Sequence, residues 1–276
     1  MTSVRPPAVA GLFYPAEARD LDRTVRDYLA AAGSSGPAPK ALIAPHAGSS
    51  GPAPKALIAP HAGYVYSGAV AASVYARLRE VRAEIDRVVL LGPAHRHAFR
   101  GLALCDADSF ATPLGTVPVD REAAARIATL PQIVRLDAAH RDEHSLEVHL
   151  PFLQRALDDF AIVPLVVGDA TPEQVAEVIE CLWGGRETLI VVSSDLSHYL
   201  DYDSARRLDA MTSRAIEALR PEDLAPQQAC GRLPIQGLLR VARTRGLSAT
   251  TVDLRNSGDT AGPRDEVVGY GAWLFA

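Results

Sequence analysis

The sequence predicts an α/β protein, a single domain in which a mostly parallel, doubly wound sheet is flanked by helices. Three observations predict it. Short apolar runs such as Val88-Val89-Leu90-Leu91 show no polar alternation, as expected of strands buried on both faces. These runs alternate with helix-period segments along the whole chain, the pattern of parallel crossover units. Apart from one repeated segment, no linker rich in Gly, Ser or charge divides the 276 residues, a length that can bury one large core.

Taken in order, residues 1–15 read as an irregular arm with the anchor Gly11-Leu12-Phe13-Tyr14-Pro15. Residues 16–32 predict a helix with Leu21, Val25, Tyr28 and Leu29 on one face. Residues 34–48 (SSGPAPKALIAPHAG) then recur letter for letter as residues 49–63. Solenoid repeats are longer, diverged and numerous, so the identical pair reads as a recent tandem duplication or a sequencing artefact. Only the second copy continues into Tyr64-Val65-Tyr66-Ser67-Gly68. The strand is therefore assigned to residues 55–60, and the first copy to an extruded loop in which His46 is a spare. A helix is expected over 69–78.

Strands follow at 85–91, 101–105, 133–136, 160–168 and 188–193, with a loop or hairpin at 108–118. Asp120 is positioned to cap a helix reaching residue 130. Further helices are expected up to 157, at 171–183, 203–219, 221–229 and 234–246. Two strands, 248–255 and 267–275, close the chain.

Composition narrows the function classes. The formal net charge of −5 lacks the basic footprint of a nucleic-acid binder. No apolar run approaches the roughly 20 residues of a membrane helix, and the N-terminal stretch lacks a signal-peptide centre. Cys105, Cys181 and Cys230 are odd in number and widely spread, which argues against a disulfide framework and for the cytoplasm. Cys105 and Cys181 fall in strand and helix patterns and are expected in the core.

Three buried-type strands end in loops that carry histidine: His61, His95, and Asp195 with His198. Parallel strands bring their C-terminal loops to one sheet edge, where open α/β sheets bind ligands. His144 and His149 lie on an acid-rich helix entry, and Cys230 at a helix junction adds a thiol. Converging neutral imidazoles suit a borderline transition metal. HExxH, Cys-x-x-Cys, Walker, Gly-x-Gly-x-x-Gly and Gly-x-Ser-x-Gly motifs are all missing from the sequence. Spacing alone thus leaves a polar or metal site and scattered loop histidines both open. Asp195 reads either as the cap of the following turn or as the carboxylate that sets the His198 tautomer. His198 is the candidate general base. His144, Glu143 and Glu147 read equally as pocket lining or as a polar helix start. His149 reads as structural, Tyr64 and Tyr66 as aromatic packing, and Asp137 and Asp142 as solvated acids.

Five words, APHAGY, LGPAH, DEHSLEVHLP, VVSSDLSH and CGRLPI, together and in this order resemble the Memo family across essentially the whole chain. The chain looks like the bacterial type called AmmeMemoRadiSam system protein B. That type is often encoded beside a radical-SAM protein and an AMMECR-type protein, which the resemblance makes candidate partners. It also implies a fold like that of class III extradiol dioxygenases, which are non-haem iron enzymes. Carried over residue by residue, it makes His61, His95 and Cys230 metal ligands, with Asp195, His198 and His144 in the same pocket. The dioxygenases complete their ligand set with a carboxylate where the Memo pattern has a Cys. A His₂Cys set is softer and suits Fe(II) first, with Cu or Zn as alternatives. Two local departures are Ala94, where the family commonly has Ser, and Leu233, where its best-known members carry His.

Three functions follow as expectations. The first is a metal-dependent, dioxygenase-like oxidoreductase of unassigned substrate. The second is a non-catalytic module that binds a peptide or small ligand, or scaffolds a partner enzyme. The third is a zinc hydrolase, in which the metal lowers the pKa of bound water.

Overall fold

The computed structural model describes residues 3–33 and 53–276. Its elements are β1 (Val4–Arg5), α1 (Ala18–Gly33), β2 (Ala56–Ala59), α2 (Tyr64–Tyr75), β3 (Arg87–Pro93), β4 (Leu102–Leu104), β5 (Ser109–Thr112) and β6 (Gly115–Pro118). Next come α3 (Arg121–Ile127), β7 (Ile133–Arg135), α4 (Asp137–Arg141), α5 (Leu150–Ala156), β8 (Ala161–Val167), α6 (Pro172–Cys181), β9 (Thr188–Ser193) and β10 (His198–Leu200). The chain ends with α7 (Tyr202–Glu217), α8 (Arg232–Arg245), β11 (Ala249–Asn256) and β12 (Val267–Phe275).

The main sheet runs β10-β12-β2-β9-β3-β8-β4-β7, with β11 pairing β12. Its centre, β2-β9-β3-β8, is parallel, while β12 against β2 and β4 against β8 are antiparallel. The sheet is thus mixed, parallel where it carries the site. Strands β1, β5 and β6 form a small separate sheet.

The uninterrupted apolar runs have a simple cause. Leu57, Ala59, Val88, Leu90, Leu189 and Val191 face one core with α1, α2 and α5. Their alternates Ala56, Ile58, Val89, Leu91, Ile190 and Val192 face a second core with α3, α6, α7 and α8. With helices on both faces, both side-chain rows must be apolar. Asp120 caps α3 as expected, accepting from Ala123 N, and α6 adds a capping box between Thr171 and Gln174.

The strand before His61 comes from the second repeat copy. It is pinned at its start by Lys55, whose Nζ donates to the carbonyls of Trp183, Gly185 and Thr188. The first copy, with His46, lies outside the described residues.

Some expectations need correction. Residues 221–229 are two single 3-10 turns, Pro221–Asp223 and Pro226–Gln228, because Pro226 forces Ala225 into extended geometry. Cys181 is exposed, since α6 turns Val175, Val178 and Ile179 to the core and leaves Cys181 on its outer face. Helix α2 begins at Tyr64, five residues before the expected start. No helix among the described residues is long and apolar enough to cross a membrane.

Candidate metal centre

Strands β2, β3 and β9 run parallel, and each hands its C-terminal loop to the same edge. His61 follows β2 in the tight turn that Gly63 closes as N-cap of α2. His95 follows β3, Asp195 follows β9, and Cys230 precedes α8. His144 arrives on the loop before α5. Ring centroids of His61, His95 and His144 lie 5.0, 5.4 and 4.6 Å apart pairwise. One ligating atom each from His61, His95 and Cys230 fall within 4.8 Å of one another. His95, Glu143 and His144 make a second, overlapping group of the same kind.

Hydrogen bonds decide which ring nitrogens are free. Ser193 Oγ donates its only proton to Ser145 O at 2.5 Å. It must therefore accept from His61 Nδ1–H at 2.6 Å, which leaves the Nε2 lone pair facing Cys230 Sγ at 3.3 Å. Glu143 Oε1 accepts from His95 Nδ1–H at 2.9 Å, so His95 Nε2 is the free atom. The other Glu143 oxygen accepts from His95 N at 2.6 Å, and Oε1 also takes Ser145 N at 2.9 Å. His198 Nδ1–H donates to Leu196 O at 2.8 Å, leaving its Nε2 able to take a proton. Asp195 does not set that tautomer. Its Oδ1 accepts from His61 N at 2.8 Å, and its Oδ2 stands 4.0 Å from His61 Nε2.

Protonation follows from burial. Desolvation, reinforced by His95 and His144, pushes His61 well below the usual imidazole value. Desolvation, then His95, brings His144 down to about 4. Desolvation also lowers His198, against the Leu196 carbonyl. These rings are neutral near pH 7, as metal ligands and bases must be. Burial works to raise Glu143, but hydrogen bonding and electrostatic attraction from His95 prevail and hold it at about 2. Desolvation raises Asp195 to about 7, opposed by the His61 N–H. Burial, helped by Asp195, pushes the Cys230 thiol up to about 12. Without a cation, then, Cys230 keeps its proton and donates it to His61 Nε2.

Donors on one tetrahedral ion with bonds of about 2.0–2.3 Å stand about 3.3–3.8 Å apart. The His61 Nε2–Cys230 Sγ separation of 3.3 Å already has that length. Cys230 can approach because of Gly231: a Cβ there would lie 2.5 Å from Ser193 O and 2.6 Å from Ser194 Cβ. The residue types, free lone pairs and spacing therefore fit a soft or borderline metal.

Other expectations sort as follows. Glu143 lines the site and holds His95. Glu147 does not: it is fully buried under the N-terminal arm, bound to Arg5, Ala8 N, Val9 N and Tyr14 OH. The arm reaches the site through Phe13, whose ring packs at a tilt against His144 with centroids 4.7 Å apart. His149 is structural, bonded to Tyr75 OH at 2.8 Å, and His140 bonds Ala103 O at 3.0 Å. Tyr64 is core, whereas Tyr66 is 40% exposed. Ser145, Ser193 and Gly231 went unpredicted; only their adjacency to DEH, SD and Cys marks them.

A mixed α/β chain with two imidazoles and a thiol converging at the parallel edge defines a candidate His₂Cys metal protein. Residues 5–274 match the family model described as Memo-like protein, and the chain belongs to the Memo family. A MEMO1 family protein of Aquifex aeolicus is 38% identical over 285 residues, covering 99% of both chains. One from Archaeoglobus fulgidus is 36% identical, again over 99% of each. Among solved structures, the uncharacterized protein JW3007 of Escherichia coli K12 shares the fold with a TM-score of 0.51 at 13% identity, over 79% of this chain and 98% of that one.

Proposed function

We propose that the chain is a metal-dependent, dioxygenase-like redox protein in which His61, His95 and Cys230 hold Fe(II) or copper. The observation that carries this is the paired arrangement of the two rings. Each has its Nδ1–H committed to a fixed acceptor, Ser193 Oγ or Glu143 Oε1, so that its Nε2 is free for a ligand. A bound Fe(II) or copper would supply electron transfer and Lewis acidity at the pocket. The chain's own part is to orient and to move protons. His198 Nε2 takes a proton from the bound substrate, and Asp195, poised near neutrality, serves as a second proton acceptor beside His61. His144, walled by Phe13, shields the donors from water.

The test is metal content after anaerobic reconstitution with Fe(II), Cu(I) and Zn(II). Near-stoichiometric iron or copper is expected in wild type and in His46→Ala, and loss in His61→Ala, His95→Ala and Cys230→Ser. Folded wild type that takes up no metal overturns the proposal, and uptake of zinc alone redirects it to hydrolysis.

A second reading has its own observation. Leu12 (81% exposed), Val65 (61%) and Tyr199 (73%) are large apolar side chains open to solvent, next in sequence to Phe13, Tyr64 and His198. Exposed apolar side chains beside these residues favour a module that binds a peptide or small ligand, or docks a radical-SAM or AMMECR-type partner. In that case His95→Ala would leave ligand affinity intact.

A further inference from the structure

We propose that Asp209 is a positioning residue for His198, holding the 195–200 segment so that the imidazole faces the donor cluster. The inference rests on the reading of His198 as the proton acceptor of the site. Asp209 lies in α7, outside every motif named above, and is 2% exposed. Its Oδ1 accepts from Ser197 N at 3.0 Å, and Ser197 alone, with no basic side chain among the described residues, offsets its burial. Desolvation raises it to about 6. A buried carboxylate with so few donors is a poor stabiliser compared with an apolar side chain, so its hydrogen bond to this loop calls for another role.

The neighbouring geometry supplies one. Gly269 N donates to Ser197 O, and Leu196 N donates to Gly269 O, both at 2.8 Å. A Cβ on Gly269 would sit 2.0 Å from Asp209 Oδ2, so the glycine makes room for the carboxylate. The loop is thus clamped by β12 and by Asp209. On the far side of His198, Tyr199 adopts φ 59°, and β10 slips register between His198 and Leu200. A non-glycine residue keeps a left-handed backbone only where its surroundings over-determine it, and a bulge beside a site commonly re-aims a side chain. The Ser197–Asp209 bond fixes the chain immediately before the ring that is aimed. His198 lies within electrostatic range of both His61 and His95.

The test uses the metal-free full chain. Amide exchange at Ser197 and the ring resonances of His198 are followed by NMR in Asp209→Ala and Asp209→Asn. Co(II) absorption reports separately on His61, His95 and Cys230. Asp209→Ala is expected to exchange the Ser197 amide at least tenfold faster and to average the His198 ring signals. Asp209→Asn, which keeps the Oδ1 acceptor, restores both, and Co(II) affinity stays within threefold throughout. Unchanged His198 resonances in folded Asp209→Ala overturn the proposal. So does a matching loss of Co(II) binding, which would mark a general structural role. Should Asp209→Ala fail to fold, Gly269→Ala displaces the carboxylate without removing it and carries the same expectation. If wild type binds no metal at all, the functional reading fails while the NMR comparison still decides on Asp209.

Discussion

Replacing Glu147 should release the N-terminal arm and, through it, disturb the site. Glu147 is wholly buried and bound by Arg5, itself 6% exposed. It also accepts from Ala8 N at 2.8 Å, Val9 N at 3.0 Å and Tyr14 OH at 2.6 Å. Glu147→Ala leaves the Arg5 charge and these donors without their acceptor. Removing one partner of a buried ion pair costs about 3–5 kcal/mol. For a domain of this size that is roughly 10 °C in Tm. Glu147→Gln should cost less, because one oxygen remains, but its amide would face donors rather than acceptors. Thermal unfolding measures the loss, and amide exchange at Ala8 and Val9 locates it. Because Phe13 O accepts from Tyr64 N and its ring covers His144, a freed arm should also expose His144 to solvent. A Glu147→Ala protein within about 1 kcal/mol of wild type, with unchanged protection at Ala8 and Val9, would refute the view that this carboxylate fastens the arm.

Three further outcomes are expected. Gly231→Ala, whose Cβ would meet Ser193 O at 2.5 Å, should displace Cys230 and weaken Co(II) binding about 10–100-fold, as loss of a supporting contact does; unchanged titrations would count against it. Because Cys230 is held protonated at about 12 and Asp195 is already ionised above its value of about 7, metal affinity above pH 8 should rise about tenfold per pH unit as one proton is released, and Cys230→Ser should flatten that slope. His140 and His149, lowered by burial to about 4 and about 3, bind protons more readily unfolded than folded, so the stability present above about pH 6.5 should fall on acidification toward pH 4 by about 1.4 kcal/mol per unit for each. Denaturant melts of wild type and His149→Gln check this, the variant losing one such share.

The sheet was legible because helices cover both of its faces, which makes every central strand an apolar run. By the same logic, parallel strands ending in His61, His95 and Asp195 bring these residues to one edge. Helix 221–229 was misread because polar residues around Pro226 mimic a helix start, and only the backbone restriction before proline distinguishes the two. Glu143 and Glu147 could not be told apart because they are four residues apart in one motif. The turn between them aims the first at His95 and the second at Arg5. Ser193, Ser145 and Asp209 were illegible for a different reason. Each acts through a bond to a group distant in sequence, and a Ser or Asp carries no pattern that names its partner.

The donor set makes chemical sense in light of where the carboxylate went. A two-His-one-carboxylate site could have been built here, since Glu143 lies within reach of both His95 and His144. Its oxygens are instead occupied by His95 N, His95 Nδ1 and Ser145 N, which hold the carboxyl at about 2. A carboxylate so committed orients and enriches its imidazole from behind rather than binding a cation directly. The position beside the free lone pairs goes to Cys230, a softer donor that must lose a proton to bind. Exchanging the roles, with a carboxylate in front and no acceptor behind His95, would produce a harder site with a loosely held ring. The fold therefore places acid behind and thiol in front, and this arrangement suits a soft or borderline metal better than calcium or magnesium.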